Sequence, residues 1–356
     1  MNPHAVLVTG AAGFIGSFLC KRLLADNPEL IVVGYDNLNN YYDVGLKHER
    51  LEMVNQADTS GRFKFVLGDI YDADQLSHVF DQYDPDIVVN LAAQAGVRHS
   101  IDHPRDYIDS NIVGFFNVLE QCRSHRVSHL VFASSSSVYG NTAKTPFSES
   151  EPCNEPISLY AATKKANEAL AYSYASLYGM PCTGLRFFSV YGPMGRPDMA
   201  YFHFAESMVA GKPIQLFNNG NMLRDFTYID DIIEGICLVI AAPAPIISSS
   251  ASGAPPYRIF NIGHGNPVPL FEFVNTLEAA LRAEGALRHD VEYEHLPMQA
   301  GDAWQTYADT SALQNEYDYT PKTVLAEGLA QFAQWFALWK GLEKNTGEDL
   351  GACNHG

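Results

Sequence analysis

An α/β fold, a doubly wound parallel sheet with a smaller C-terminal lobe, is predicted by three observations. Apolar runs of strand length alternate with stretches of helical character through the first half of the chain. The first run, Ala5-Val6-Leu7-Val8, leads straight into a glycine-rich turn, Thr9-Gly10-Ala11-Ala12-Gly13-Phe14-Ile15-Gly16. The second, Leu30-Ile31-Val32-Val33-Gly34-Tyr35, ends on Asp36, 20 residues past Gly16. Continuous apolar strands suit a sheet covered by helices on both faces.

In order, strands are expected at 5–9, 30–35, 63–67, 86–91, 128–134 and 181–187, and helices roughly at 14–26, 43–57, 73–82, 104–125 and 159–179. Gly10 permits a tight turn, Gly13 lets backbone N–H groups approach a pyrophosphate, and Gly16 lets the helix pack closely on the strand. The phosphates then sit at a positive helix N-terminus. In this Rossmann-type register the Asp36 carboxylate meets the hydroxyls of an adenosine ribose. Asn37-Leu38-Asn39-Asn40 offers no Arg for a 2′-phosphate, so NAD is expected rather than NADP. Beyond Arg186, Pro, Gly and aromatic residues become dense between 188 and 231. A dinucleotide domain over 1–187 is therefore expected, followed over 188–340 by a substrate lobe with some elements returning to the core. Residues 241–256 read as a low-complexity loop, and 341–356 as a polar, disordered tail.

The whole chain bounds the function. Its 356 residues suffice for one large domain and a lobe, and 47% hydrophobic with 18% charged residues is ordinary for a globular protein. A formal charge of −18 argues against nucleic acid or an anionic membrane as partner, so an anionic ligand must be held by a local cluster of cations. No run of 18 apolar residues appears, and Met1-Asn2-Pro3-His4 lacks the basic, apolar character of a signal segment; a cytoplasmic location is expected. Cysteines 20, 122, 153, 182, 237 and 353 are scattered, and the twelve histidines suggest no chelating motif, so no metal site is expected.

Tyr160-Ala161-Ala162-Thr163-Lys164 places a phenol and an ammonium on one helix face. A phenol with its ordinary pKa of about 10 is a poor base at neutral pH, and a neighbouring cation favours phenolate. Upstream, Ala133-Ser134-Ser135-Ser136-Ser137-Val138-Tyr139-Gly140 ends an apolar strand, where hydroxyls face the ligand crevice of such a sheet. A hydroxyl, a phenol and an ammonium around a nicotinamide cofactor suit oxidation of a secondary alcohol, whose proton must leave as hydride does.

With these motifs the chain resembles the extended short-chain dehydrogenases/reductases, in the nucleotide-sugar epimerase and dehydratase group, over about Val6 to Trp339. Within it the likeness is greatest to bacterial UDP-glucuronate 4-epimerases. It is carried by Asp36-Asn37-Leu38-Asn39-Asn40-Tyr41-Tyr42-Asp43, Ala92-Ala93-Gln94-Ala95-Gly96-Val97-Arg98-His99-Ser100, Arg186-Phe187-Phe188-Ser189-Val190-Tyr191-Gly192-Pro193, Gly195-Arg196-Pro197-Asp198-Met199-Ala200 and Arg224-Asp225-Phe226-Thr227-Tyr228-Ile229-Asp230-Asp231.

The resemblance implies catalytic Ser135, Tyr160 and Lys164, with Ser136 in support. It implies an NAD site of Gly10, Gly13, Phe14, Ile15, Gly16, Asp36, Asn37, Asp69, Ile70, Leu91, Ala92 and Ala93. Asp69 would approach the adenine, although an N-cap of the next helix is an equal local reading. Arg98, Ser189 and Arg196 would hold the carboxylate of a uronic acid, a guanidinium suiting its planar geometry. For each Arg a plain salt bridge is the competing reading. Arg224 would contact the UDP diphosphate, unless it merely pairs with Asp225; Gln299 and Asp302 would lie near the nucleotide. Ser137 stands where related decarboxylases carry Glu, and Ser136-Ser137 where a dehydratase carries Asp-Glu. The implied reaction is 4-epimerisation of UDP-glucuronate. A 4-epimerase of a neutral or N-acetylated UDP-hexose is the alternative, followed by a uronate decarboxylase or 4,6-dehydratase, and then by a non-catalytic NAD-binding protein. A homodimer is implied through helices 104–125 and 159–179, which the surfaces of Phe115, Phe116, Leu119, Leu170, Tyr174 and Leu177 would allow, although a buried helix face would look the same.

Overall fold

Val6, Leu7 and Val8, like Val32 and Val33, are fully buried although their side chains alternate between two faces, so the strands that hold them lie inside a sheet covered on both sides. The computed structural model describes residues 3–141, 144–243, 254–298 and 303–342. Its central sheet comprises β1 (Ala5–Thr9), β2 (Ile31–Asp36), β3 (Phe63–Leu67), β4 (Ile87–Asn90), β5 (His129–Ser135), β6 (Cys182–Phe187) and β7 (Tyr257–Ile262). The order is β7-β6-β5-β4-β1-β2-β3, with every pair parallel. The chain runs from β1 outward to β3, then returns to β4 on the other side of β1. That reversal opens a crevice beyond the C-terminal ends of β1 and β4. There the Thr9 hydroxyl donates to Asn90 Oδ1 at 2.7 Å and ties the two strands together.

All six expected strands form within a residue or two of their expected ends, as do helices Phe14–Asp26, Val44–Ala57, Ala73–Tyr83 and Leu159–Tyr178. The helix expected over 104–125 does not run as one element. Pro104–Tyr107 forms a single turn, Ile108–Gly114 is π-helical, and Phe115–Ser124 is α-helical. Within the widened segment, Asn111 accepts from Gln94 N at 2.8 Å and donates to Gln94 O at 3.0 Å, pinning the loop after β4.

Phe115, Leu119 and Tyr174 are buried in the core beside Val88 and Leu130. For these three the buried-face reading holds and not the interface one; Phe116 and Leu177 do point to solvent. Residues 188–231 are more regular than expected, since they include the helix Ala200–Val209. After β6 the chain builds the second lobe and then returns to the core through helix Ile229–Ala241, joined to Phe14–Asp26 by an Arg22–Glu234 ion pair of 2.7 Å, and through β7. Residues 244–253 of the expected loop and 343–356 of the tail lie outside the described residues.

Under the crevice sits a buried ion pair. Arg186 on β6 donates from Nε and Nη2 to the two carboxylate oxygens of Glu168 at 2.8 and 2.9 Å. Ser134 on β5 donates to Glu168 Oε1 at 2.6 Å, and Arg186 Nη1 donates to the Tyr139 hydroxyl at 2.9 Å. Burial works to raise the Glu168 carboxyl, but the Arg186 guanidinium outweighs it and holds the group below its ordinary range. Because the folded value is depressed, this stabilisation is present at neutral pH and is lost as the pH falls through the folded value. Glu168→Gln strands a buried guanidinium and should cost about 3–5 kcal/mol in urea unfolding at pH 7, whereas the double change Arg186→Met with Glu168→Leu should recover most of it. An equal loss in both proteins would mean that shape, not charge, holds this junction.

Candidate functional site

A cavity of about 1020 Å³ opens at the C-terminal ends of the sheet strands and runs from Asp36 to Arg224. Its first wall is the glycine turn. Gly10 has φ +72°, and a Cβ there would lie 2.8 Å from the Ala92 amide nitrogen, so only glycine lets the turn approach the loop after β4. A Cβ on Gly16 would run into the Gly10 carbonyl. The tight contact expected between Gly16 and the strand is thus with the turn itself. Helix Phe14–Asp26 starts at Gly13 with no side-chain cap, leaving its first backbone N–H groups without helical partners. Gly13, Phe14 and Ile15 line the cavity beside them. This cradle fits a dinucleotide diphosphate.

Asp36 accepts from Ala12 N at 3.0 Å through Oδ2 and from Leu38 N at 2.8 Å through Oδ1, which fixes the turn and leaves acceptor capacity toward the cavity. Asn37 donates to Asp69 at 2.8 Å, and Asp69, Ile70, Leu91, Ala92 and Ala93 all line the same space. The cap of helix Ala73–Tyr83 is Asp72, not Asp69. Lys47 was not foreseen. Its buried ammonium donates to Asn39 at 2.9 Å; burial pushes its pKa down while Asp36 supports the charge. No motif flags it, because it reaches in from the following helix.

At the other end Ser134, Ser135, Ser136 and Ser137 line the wall. Ser134 is committed to Glu168, while Ser135 meets the Tyr160 phenol and receives the Ser137 hydroxyl at 2.9 Å. Ser135 is thus the serine of the row that is placed against the Tyr160 phenol. Ser158 caps helix Leu159–Tyr178 by accepting from Ala161 N, which sets Tyr160 in the first turn. Lys164 donates to the Ala133 carbonyl at 2.8 Å, its Nζ 5.9 Å from the Tyr160 ring centroid. Burial, then the Arg196 charge, pushes its ammonium down to about 8. Burial pushes the Tyr160 phenol up, opposed by Arg196 and Ser135. Arg196 thus acts on the phenol as well as Lys164, whose Nζ lies over its ring. Asn111, also missed, donates to Thr163 at 3.1 Å and accepts from Asn167 at 2.6 Å, joining the pinned loop to the catalytic helix.

Arg196 lies half-buried against Asp198, with Nε–Oδ1 at 3.0 Å and Nη2–Oδ2 at 2.6 Å, and Tyr41 donates to Asp198 Oδ2 at 3.0 Å. Both readings of Arg196 hold at once: it lines the cavity and it is salt-bridged. Ser189 and Ser136 also line the cavity, and the Arg98 guanidinium sits 4.8 Å from the Phe217 ring centroid. Arg224 donates to the carbonyls of Leu223 and Ala303, while buried Asp225 accepts from the amides of His264, Gly265 and Ala308. Gln299 and Asp302 lie outside the described residues.

The expectation of no metal-ligand grouping overlooked one spacing. His99 and His103 stand four apart, and with Asp106 they bring one ligand atom each within 4.8 Å of one another; all three are at least partly exposed. Among the described residues no helix is long and apolar enough to cross a membrane.

Comparison with known proteins agrees with this architecture. The chain is 45% identical over 338 residues to protein CapI of Staphylococcus aureus, covering 93% of this chain and 98% of that one. It is 41% identical over 338 residues to a probable UDP-glucuronate 4-epimerase of Rhizobium meliloti, covering 93% and 96%. The crystal structure of a Bacillus cereus UDP-glucuronic acid 4-epimerase, solved with UDP-glucuronic acid and NAD, superposes with a TM-score of 0.83 at 32% identity, covering 94% of this chain and 99% of that one. Residues 6–263 match the model of the NAD dependent epimerase/dehydratase family, and it is to this family that the chain belongs.

Proposed function

We propose that the protein is an NAD-dependent UDP-sugar 4-epimerase that interconverts UDP-glucuronate and UDP-galacturonate. The observation that carries the reading is the presence, in one cavity with the dinucleotide cradle, of the Ser135–Tyr160–Lys164 group and the Arg196 guanidinium. Relatives named UDP-glucuronate 4-epimerase support the choice of sugar. NAD, when bound, supplies reversible acceptance of hydride from C4 of the sugar.

Tyr160 takes the C4 hydroxyl proton as the ketone forms and gives it back to the same oxygen once the sugar has turned and C4 regains its hydride on the other face. Ser135 holds the C4 oxygen in line, and Lys164, anchored on Ala133, supplies positive charge beneath the phenol. Arg224 and the lobe around it take the nucleotide end. A ketone at C4 makes the C5 carboxylate a β-keto acid, which loses carbon dioxide when its bond stands perpendicular to the carbonyl plane. Arg196, with Ser189 and Arg98, keeps the carboxylate out of that geometry through charge-assisted hydrogen bonds. A neutral UDP-hexose is the second reading, favoured by one observation: Asp198 already compensates the Arg196 charge. A homodimer across the outward side of Phe115–Ser124 and Leu159–Tyr178 is supported by the exposed Phe116, Tyr172, Leu177 and Tyr178.

The direct test is incubation of the purified protein and NAD with UDP-glucuronate, followed by chromatography. UDP-galacturonate is expected; a UDP-pentose as main product, or turnover of neutral hexoses alone, refutes the assignment. Tyr160→Phe should lower turnover by roughly 10²–10⁴-fold with UDP-sugar binding nearly intact. Arg196→Ala should reduce kcat/KM for UDP-glucuronate roughly ten- to hundredfold more than for UDP-glucose, and a trace of UDP-pentose should accompany the residual epimer. Lys164→Met should abolish turnover yet stabilise the fold at pH 7. Its folded pKa, near 8, lies below the ordinary value, so the buried charge opposes folding at neutral pH and the penalty fades as pH rises from 8 toward 10.5. The gain in urea unfolding should reach at most about 3 kcal/mol, less the lost bond to Ala133, and should shrink at pH 10.

A further inference from the structure

Arg196 enters the site already engaged. Its Nε and Nη2 are spent on the two oxygens of Asp198, at 3.0 and 2.6 Å, and Nη1 lies outside this bidentate pair. Tyr41, from the segment after β2, steadies the carboxylate from a third direction at 3.0 Å. Its ring packs on His99, with centroids 4.7 Å apart. The backbone beside Arg196 is held as firmly: buried Arg50 donates to the Met194 carbonyl at 2.9 and 2.7 Å and to Gly195 O at 3.0 Å. Such anchoring exceeds what is needed to place a cation. It also puts a fixed negative charge beside the guanidinium that is to receive an anionic sugar.

We propose that Asp198 is a positioning and specificity residue that tempers Arg196: it aims the guanidinium and partly cancels its charge, so that a uronate carboxylate is gripped weakly enough to be released when the sugar turns. The inference rests on the UDP-glucuronate reading. An epimerase must present both faces of one ketone to the same hydride donor, so whatever holds the carboxylate must let go between the two transfers. A half-buried guanidinium with no carboxylate beside it would bind the uronate tightly in one orientation and trap the intermediate. With Asp198 in place, the guanidinium and the two carboxylates share one positive charge between two negative ones, and the grip weakens. Burial acts to raise the Asp198 carboxyl, but Arg196 prevails and holds it ionised, so the negative charge is present at working pH.

The test uses the NAD-loaded protein with Asp198→Asn and, as a second variant should that one fold poorly, Asp198→Ser. Calorimetric Kd values are measured for UDP-glucuronate and UDP-glucose, with kcat and KM alongside. UDP-glucuronate should bind roughly three- to tenfold more tightly and its kcat should fall, while the Kd for UDP-glucose stays within about twofold. Weaker binding of UDP-glucuronate, or the same factor for both sugars, overturns the proposal, since a merely structural role would act on both alike. Binding needs no turnover: wild-type protein that binds UDP-glucuronate without epimerising it refutes the function while leaving the Asp198 comparison decisive.

Discussion

The Arg186–Glu168 pair is the constraint on which the site depends. It joins β6, the end of β5 through Ser134, and the helix that carries Tyr160 and Lys164. Glu168 stands one turn beyond Lys164, and Ser134 immediately precedes Ser135, so one ion pair fixes both sources of reactive groups. The cost of burying two charges is offset only when every polar atom finds a partner. Here Ser134, Tyr139 and Asn261 complete the network, with the Tyr139 hydroxyl passing on to Asn261 on β7 at 2.7 Å. A polar junction specifies a register more sharply than apolar packing, which tolerates slippage.

Charge placement elsewhere obeys the same logic. A protein with a formal charge of −18 repels an anionic ligand at long range, yet its cavity holds buried or half-buried cations: Lys47 at the Asp36 end, Lys164 and Arg196 at the reacting end. Each is tied to a carbonyl, an amide or a carboxylate, and none relies on bulk water for its charge. Arg50 links the two ends. It reaches from helix Val44–Ala57 to the Ala12 carbonyl of the glycine turn at 3.2 Å and to the carbonyls just before Arg196. The turn that would cradle a diphosphate and the loop that would meet the sugar are thereby held by one side chain.

β1, β2, β4 and the body of β5 were legible because they are buried on both faces and read as apolar runs, and β3 because Phe63, Phe65, Val66 and Leu67 leave it mostly apolar although it is an edge strand; β7 was not, since Tyr257-Arg258-Ile259-Phe260-Asn261-Ile262 interleaves two polar residues and follows a low-complexity stretch. The glycine turn, Asp36, Tyr160 and Lys164 were legible because local spacing alone brings them to one crevice. Asp198, Tyr41 and Asn111 were not, because their roles arise from contacts across long stretches of chain, such as the 157 positions between Tyr41 and Asp198; Lys47 bonds a residue only eight positions away, but no motif marks it. Phe115 and Leu119 show the converse: a helical apolar pattern marks a face to be covered and says nothing of whether the core or another copy covers it.

The return of the chain to the sheet at β7 sets how the lobe can move and how the molecule can be divided. The excursion leaves from β6 and comes back beside it at β7, and the chain then enters the lobe again, where Leu270–Ala283 packs on Leu325–Trp339 and on Ala200–Val209. The lobe is therefore joined to the sheet by several crossings, and any opening of the cavity must bend all of them together. For the same reason the chain does not divide at residue 187 into two modules. A fragment ending there would bare the β6 edge, with Cys182 and Leu185, as an unpaired template for a neighbouring chain. Recombination between members of this architecture would have to exchange the excursion together with the segments after β7 that pack on it, with every junction matched.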